Sequence, residues 1–407
     1  MPFPDALRLI AAITVSISQW LPARQVPSSI EVNASYVYGQ QVDYRVTIND
    51  ERQALRATVF VTRPGFEETL VLQAALGGGQ PQFARAIQKL DMAPIKPFSL
   101  VQYWWQLDFN DGSTVTTDHA QLDYVDNRYQ WQKISQAGVT VHWIEGDPAF
   151  GQAVLDRALL SVSALKRSLG LVAPSDLQAF IYPDLGSLQS SLQLGGASWI
   201  GGHAEPDLGV LLLAASPDDE GLLLLERSLP HELTHLLLYQ RMQAGYGNLP
   251  AWLNEGLATL QEGTPDSTSR LLLEQAASDG KLIPLTSLCA PFPDTGQSAQ
   301  LAYAESAAVV QYIQDIYGTG AISALLDAYQ EGTSCSGGVE RTLRRSMQTL
   351  DAEWRRSAFP GLSPLSHFNS SAIPWLVLAL PALAVALMAA AVARRRRHTH
   401  SIPSDKT

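Results

Sequence analysis

Pro230-His231-Glu232-Leu233-Thr234-His235, followed by Pro250-Ala251-Trp252-Leu253-Asn254-Glu255-Gly256-Leu257-Ala258, is the stretch whose reading decides the fold. On an α-helix, residues i and i+4 lie on one face, a turn apart. His231 and His235 therefore point the same way and can share one metal ion. Glu232 sits beside them as a general base for an activated water. A catalytic zinc site needs a third protein ligand and an open fourth position. Glu255, twenty positions after His235, supplies the carboxylate. That gap lets one helix end, a loop turn, and a second helix bring its face to the metal. Leu236, Leu237 and Leu238 follow directly, so the helix is expected to be buried. A buried helix carries two histidines and a glutamate on one face only where they have a partner.

H-E-L-T-H followed by N-E at this spacing resembles the gluzincins, metallopeptidases with two His and one Glu as ligands. The first string resembles the thermolysin group and W-L-N-E-G-L-A the aminopeptidase N-like group. The whole is most similar to bacterial peptidase MA-like metallohydrolases, over about residues 127–359. The resemblance implies Zn2+ held by His231, His235 and Glu255, with Glu232 as catalytic base. Ala302-Tyr303-Ala304-Glu305-Ser306-Ala307-Ala308 resembles the aminopeptidase N-like helix whose tyrosine stabilises the oxyanion, which makes Tyr303 the second catalytic candidate. It lacks that family's Lys-Gly pair. Gly202-His203-Ala204-Glu205-Pro206 loosely resembles the strand whose glutamate holds a substrate amine, without its Met and Asn. Glu262, seven positions past Glu255, is a candidate to orient a ligand imidazole.

Working outward, the chain has 407 residues, 46% hydrophobic and 16% charged, enough for two or three domains with large cores. The net charge is −11, and the last fourteen residues carry +4 of it, which leaves −15 on the body. Such an acidic body argues against nucleic acid as a partner. Cys289 and Cys335 belong to no C-x-x-C; in an exported protein they read as one disulfide within the chain.

Residues 1–27 read as a possible signal or leader segment, with a short apolar run at 9–17 after Arg8. Residues 28–125 read as an all-β, Ig-like sandwich. Val42, Tyr44, Val46 and Ile48 alternate with polar residues, and Leu55, Ala57, Val59 and Val61 alternate with Arg56, Thr58, Phe60 and Thr62. Asn110-Asp111-Gly112 after an aromatic strand is a hairpin turn. Trp104 and Trp105 read as one core residue and its outward neighbour.

From 126 to 359 strands alternate with helices and then give way to helices alone, the expected α+β gluzincin catalytic domain with a helical C-terminal half. Strands are expected at 139–143, 177–182 and 209–215, and helices at 150–169 and 185–194. Residues 199–206 are the candidate edge strand for an extended substrate. Pro230 predicts a kink joining a helical segment at 222–229 to the metal helix. Pro250 opens the Glu255 helix, and Gly256 reads as a steric concession to metal and substrate. Helices are expected at 270–278, 299–317, 321–330, 339–347 and 350–359.

Residues 360–372 form a linker. Residues 373–393 are apolar and uncharged, long enough to cross a hydrocarbon core of about 30 Å as one transmembrane helix. Arg394 to Arg397 open a basic tail (394–407) that the positive-inside rule places in the cytoplasm. The whole reads as a single-pass cell-membrane zinc metallopeptidase with its catalytic domain extracytoplasmic, acting on peptide or protein substrates. The alternative is a weak or inactive zinc-containing surface protein whose β-sandwich binds an envelope partner.

Overall fold

The computed structural model describes residues 30–171, 176–194, 202–263, 267–292 and 296–362. The leader, the linker beyond Leu362, the apolar segment 373–393 and the basic tail lie outside the described residues. Among the described residues no helix is long and apolar enough to cross a membrane. The chain divides into two compact units, Met1–Asp126 and Asn127–Thr407.

The first unit contains β1 (Ile30–Val37), β2 (Gln41–Ile48), β3 (Ala54–Thr62), β4 (Leu70–Gln73), β5 (Ala75–Gly77), β6 (Gln82–Lys89), β7 (Ser99–Phe109), β8 (Thr114–Thr116) and β9 (Ala120–Tyr124). A four-stranded sheet runs β1-β2-β6-β5; a five-stranded sheet runs β4-β3-β7-β8, with β9 also on β7. Tyr44 and Val46 from one sheet and Val59, Val61, Trp105 and Leu107 from the other share one core. The pairing β1-β2-β6-β5 and β3-β7-β9 repeats the ABED and CFG order of immunoglobulin-type sandwiches. Asn110-Asp111-Gly112 turns the chain as expected, with Gly112 at φ 80°. Trp105 is buried, while Trp104 stacks outside between Phe60 and His119. The alternation expected from Leu55 fails. The register shifts between Ala54 and Arg56, so Leu55 is the extra residue of a bulge. It turns outward, 60% exposed, and Ala54 takes the inward place.

The second unit opens with β10 (Gln132–Gln136), β11 (Val139–Trp143), α1 (Pro148–Leu169), β12 (Leu177–Tyr182), α2 (Leu185–Leu194), β13 (Gly202–Glu205) and β14 (Val210–Ala214). The sheet order is β10-β11-β12-β14-β13. β11, β12 and β14 are parallel, and the flanking strands are antiparallel. β10 has no counterpart in the sequence reading. Asp147 caps α1 by accepting from the Phe150 N–H at 3.0 Å, Pro148 takes its first turn, and Gly170 ends it at φ 65°. One face of the sheet, with Val141, Ile181, Leu211 and Leu213, joins the core that α1 shares with α3 (Asp219–Met242). The other face carries Phe180 and Tyr182 against Trp131, and the Tyr182 hydroxyl bonds Ser191 of α2 at 2.7 Å.

The helical half follows as α4 (Ala251–Gln261), α5 (Ser267–Ser278), α6 (Gln297–Tyr317), α7 (Thr319–Gln330), α8 (Cys335–Leu343) and α9 (Met347–Ala358). Its buried Val309, Ile313, Leu326 and Leu350 are continuous with the sheet core. Cys289 and Cys335 form the expected disulfide. The helix expected over 339–347 begins earlier, at Cys335, and ends at Leu343, and the one expected from 350 begins at Met347. Arg344 turns left-handed at φ 56°, and the Ser346 hydroxyl caps α9 on the Thr349 N–H at 3.1 Å.

The helical segment expected at 222–229 joins the metal helix at Pro230. Residues 222–229 belong to α3 itself, which runs through Pro230 without a break. Proline removes one backbone hydrogen bond there. Leu225, Leu229, Leu233, Leu236 and Leu237 are fully buried along the helix, and that burial holds it together.

Candidate metal centre

α3 carries both histidines and the neighbouring glutamate; α4 carries the third ligand. Asp218 caps α3 on the Gly221 N–H at 2.9 Å, and Asp219 and Glu220 complement the dipole of its first turn. A 3-10 turn at Gln243–Asn248 reverses the chain. Pro250 then starts α4, its carbonyl accepting from the Leu253 and Asn254 N–H groups at 3.0 and 3.1 Å.

This brings His231, His235 and Glu255 together, with ligand atoms all within 4.8 Å of one another. His231 Nε2 lies 3.3 Å from His235 Nε2, and Glu255 Oε2 lies 3.7 and 3.4 Å from the two. A tetrahedral ion with ligands at about 2.0–2.1 Å requires ligand atoms roughly 3.3–3.4 Å apart. The triangle therefore has the dimensions of a tetrahedral metal site.

Both imidazoles are oriented from behind. Glu262 Oε1 is 2.8 Å from His231 Nδ1, and Asn254 Oδ1 is 3.1 Å from His235 Nδ1. These acceptors keep the proton on Nδ1 and leave Nε2 its lone pair for a metal. Each acceptor is itself held. Arg227, one turn before His231, donates to Glu262 Oε2 at 3.0 Å. The Tyr246 hydroxyl donates to Asn254 Oδ1 at 3.4 Å. The sequence reading put Glu262 behind an imidazole, and the geometry agrees. It assigned nothing to Asn254, although that residue adjoins Glu255, and nothing to Tyr246 or Arg227.

The field of the site favours a cation. Burial opposes a charge on His235, but Glu255 and Glu232 outweigh it and push its pKa up to about 9. Burial raises the Glu255 and Glu262 carboxyls, and their histidine partners bring both below the ordinary value. Burial pushes Tyr246 up to about 12, so it stays a neutral donor.

Glu232 faces the edge strand. A Cβ at Gly202 would lie 2.9 Å from Glu232 Oε1, so β13 borders this carboxylate. The Tyr303 ring, on α6, stands 6.3 Å from the His231 ring and edge-on to Phe292 at 5.3 Å. His203 and Glu205 lie outside the ligand cluster; His203 Nε2 is 2.8 Å from Glu205 Oε1. Gly256 serves a different purpose from the one expected. A Cβ there would meet the Ser306 carbonyl at 2.6 Å, so it lets α4 and α6 approach backbone to backbone.

The Peptidase MA superfamily model matches residues 157–359. No curated protein matches the chain. An M1 zinc metallopeptidase from Deinococcus radiodurans is similar in structure at 11% identity, covering 83% of this chain and 94% of that one, with a TM-score of 0.32. An aminopeptidase N family protein from Idiomarina loihiensis is similar at 8% identity, covering 78% and 73%, with a TM-score of 0.34. A polysaccharide deacetylase from Bacillus cereus is similar at 10% identity over 41% of this chain, with a TM-score of 0.20; the match spans about half of that protein, 54%. A purple acid phosphatase from yellow lupin is matched over 40% of its length. At these TM-scores the structural likenesses carry no argument. What decides the matter is the family match over the stretch that holds the metal triangle, and by it the chain belongs to the Peptidase MA superfamily of gluzincin-like metallopeptidases.

Proposed function

We propose that this chain is a zinc metallopeptidase that hydrolyses peptide bonds, held at the cell membrane by residues 373–393 with the catalytic unit outside. The observation that carries the reading is the ligand triangle, with both Nδ1 atoms already spoken for and a free carboxylate, Glu232, next in sequence to His231. Two imidazoles and one carboxylate at tetrahedral spacing are a donor set that suits zinc. His231, His235 and Glu255 would hold the zinc, which would supply Lewis-acid chemistry to the scissile carbonyl and to a water. Glu232 takes the proton of the attacking water and passes it to the leaving amine. Tyr303 donates its hydroxyl to the carbonyl oxygen as charge gathers on it. Glu262 and Asn254 keep the two Nε2 atoms aimed at the metal. The acidic body, the apolar segment and the arginines after it support the anchored topology.

Glu232→Gln tests the reading. The variant is expected to retain zinc at wild-type stoichiometry and to lose peptide hydrolysis by about a thousandfold or more. Undiminished turnover in that variant would overturn the assignment.

A further inference from the structure

Behind the metal site, residues of α3, α4, α5, α6 and α9 line a cavity of about 310 Å³. An apolar cavity of about 150 Å³ takes up benzene, so this one has room for two fused rings. Leu260, Leu273, Ala304, Ala308 and Trp354 form its apolar walls. Ala304 and Ala308 stand one turn apart on α6, and their small side chains leave the space open.

Among the described residues, the lining does not include His231, Glu232, His235, Glu255 or Tyr303. The cavity reaches the site through Glu262, which lines it and lies 2.8 Å from His231 Nδ1. Nδ1 and Nε2 point away from each other across an imidazole. A molecule in the cavity therefore sits behind the ligand ring and leaves the metal face open. Thr259, four residues past Glu255, also lines the cavity, and its Oγ1 is buried with no hydrogen-bond partner among the described residues. A hydroxyl both donates and accepts, and leaving it unpaired costs free energy that a ligand group would recover. Neither sign of charge suits the rest of the lining. An anion would meet Glu262 and Asp315; a cation would meet Arg227, which donates to Glu262 Oε2 at 3.0 Å. The chemistry that fits is a neutral, mainly apolar molecule with one hydroxyl.

The geometry points to a binding site for such a molecule behind His231, whose occupant tightens the metal through Glu262. An occupant removes water from the Glu262 carboxylate. Its hydrogen bond to the ring strengthens as the surroundings dry, and the ring becomes a better donor to the metal. The effect is reciprocal, so the metal tightens the occupant by the same factor. This coupling rests on the metal reading above.

The test titrates the zinc-loaded and zinc-free full chain with 2-naphthol by calorimetry. A Kd of roughly 10–100 µM is expected for the zinc-loaded chain, and binding about fivefold weaker without zinc. Competition against a fluorescent chelator should show zinc held about fivefold more tightly at saturating 2-naphthol. Ala308→Leu fills the cavity and should weaken 2-naphthol by about tenfold or more while zinc affinity without the probe stays at the wild-type value. Thr259→Val keeps the shape and should remove the preference for 2-naphthol over naphthalene. Four results would each overturn the inference: no binding to the wild type, binding that survives Ala308→Leu, tighter binding of 2-naphthoate or 2-naphthylmethylamine, or equal zinc affinity with and without 2-naphthol. A chain that takes up no zinc would overturn the metal reading and the coupling with it; loss of 2-naphthol on Ala308→Leu would still support the site.

Discussion

Removing the charge behind His231 should weaken the metal in a graded way. In Glu262→Gln the amide oxygen can still accept from His231 Nδ1, where Glu262 Oε1 now lies at 2.8 Å, but the negative charge is gone. Carboxylate partners of this kind raise the basicity of the ligand, and their loss typically costs about 10–100-fold in metal affinity, roughly 1.4–2.7 kcal/mol. Glu262→Gln belongs at the lower end of that range. Glu262→Ala, which also frees the ring to rotate, belongs at the upper end. Arg227 provides the internal control. Its side chain is 54% exposed, and an exposed ion pair contributes about 0–1 kcal/mol. Arg227→Ala should therefore weaken zinc by no more than about fivefold. Competition against a fluorescent chelator at fixed pH measures all three, with near-ultraviolet circular dichroism confirming the fold. Wild-type affinity in Glu262→Ala, or a larger effect from Arg227 than from Glu262, would refute the argument that the carboxylate works through His231.

Tyr303→Phe removes the proposed oxyanion donor and should lower kcat by about 10²–10³ while metal content stays constant; steady-state kinetics beside metal analysis checks both. Gly256→Ala forces a methyl against the Ser306 carbonyl at 2.6 Å and should destabilise the protein by about 1–3 kcal/mol in urea unfolding. Burial pushes the Glu305 carboxyl from 4.5 up to about 7. The folded state thus holds that proton more tightly than the unfolded one. The resulting stability is complete below pH 4.5 and is lost as pH rises through about 7. Glu305→Gln should flatten the stability profile across that window, and an unchanged slope would contradict it.

The metal helix was legible because its code is local: two histidines four apart, a glutamate between them, and leucines enough to bury the rest. The interior strands β11 and β12 were legible for the same reason, as short apolar runs bounded by turns. β10 was not, since it is largely exposed and polar. The bulge at Leu55 depends on the partner strand and leaves no trace in the alternation itself. At Pro230 the helical segment ahead of the metal helix was legible, and burial along α3 holds the two together as one helix. Tyr246 and Arg227 reach the site only through a turn and a helix face that tertiary packing sets. Glu205 had the right neighbours in sequence, but strand parity, a property of the register with β14, turns it away from α3.

Cys289 and Cys335 lie 46 positions apart, and the chain they enclose includes α6 and α7. Tyr303 is inside this covalent ring; His231, Glu232, His235 and Glu255 are all outside it. The bond thus closes a ring around α6 and leaves the candidate metal ligands outside it. A thiol reductant and a chelator should therefore disable the molecule by separable routes. The chelator strips the ion, whereas the reductant loosens the helix that carries Tyr303 and lowers turnover with the ion still in place. On the proposed reading, the redox state of the surroundings would act on turnover without changing the metal content.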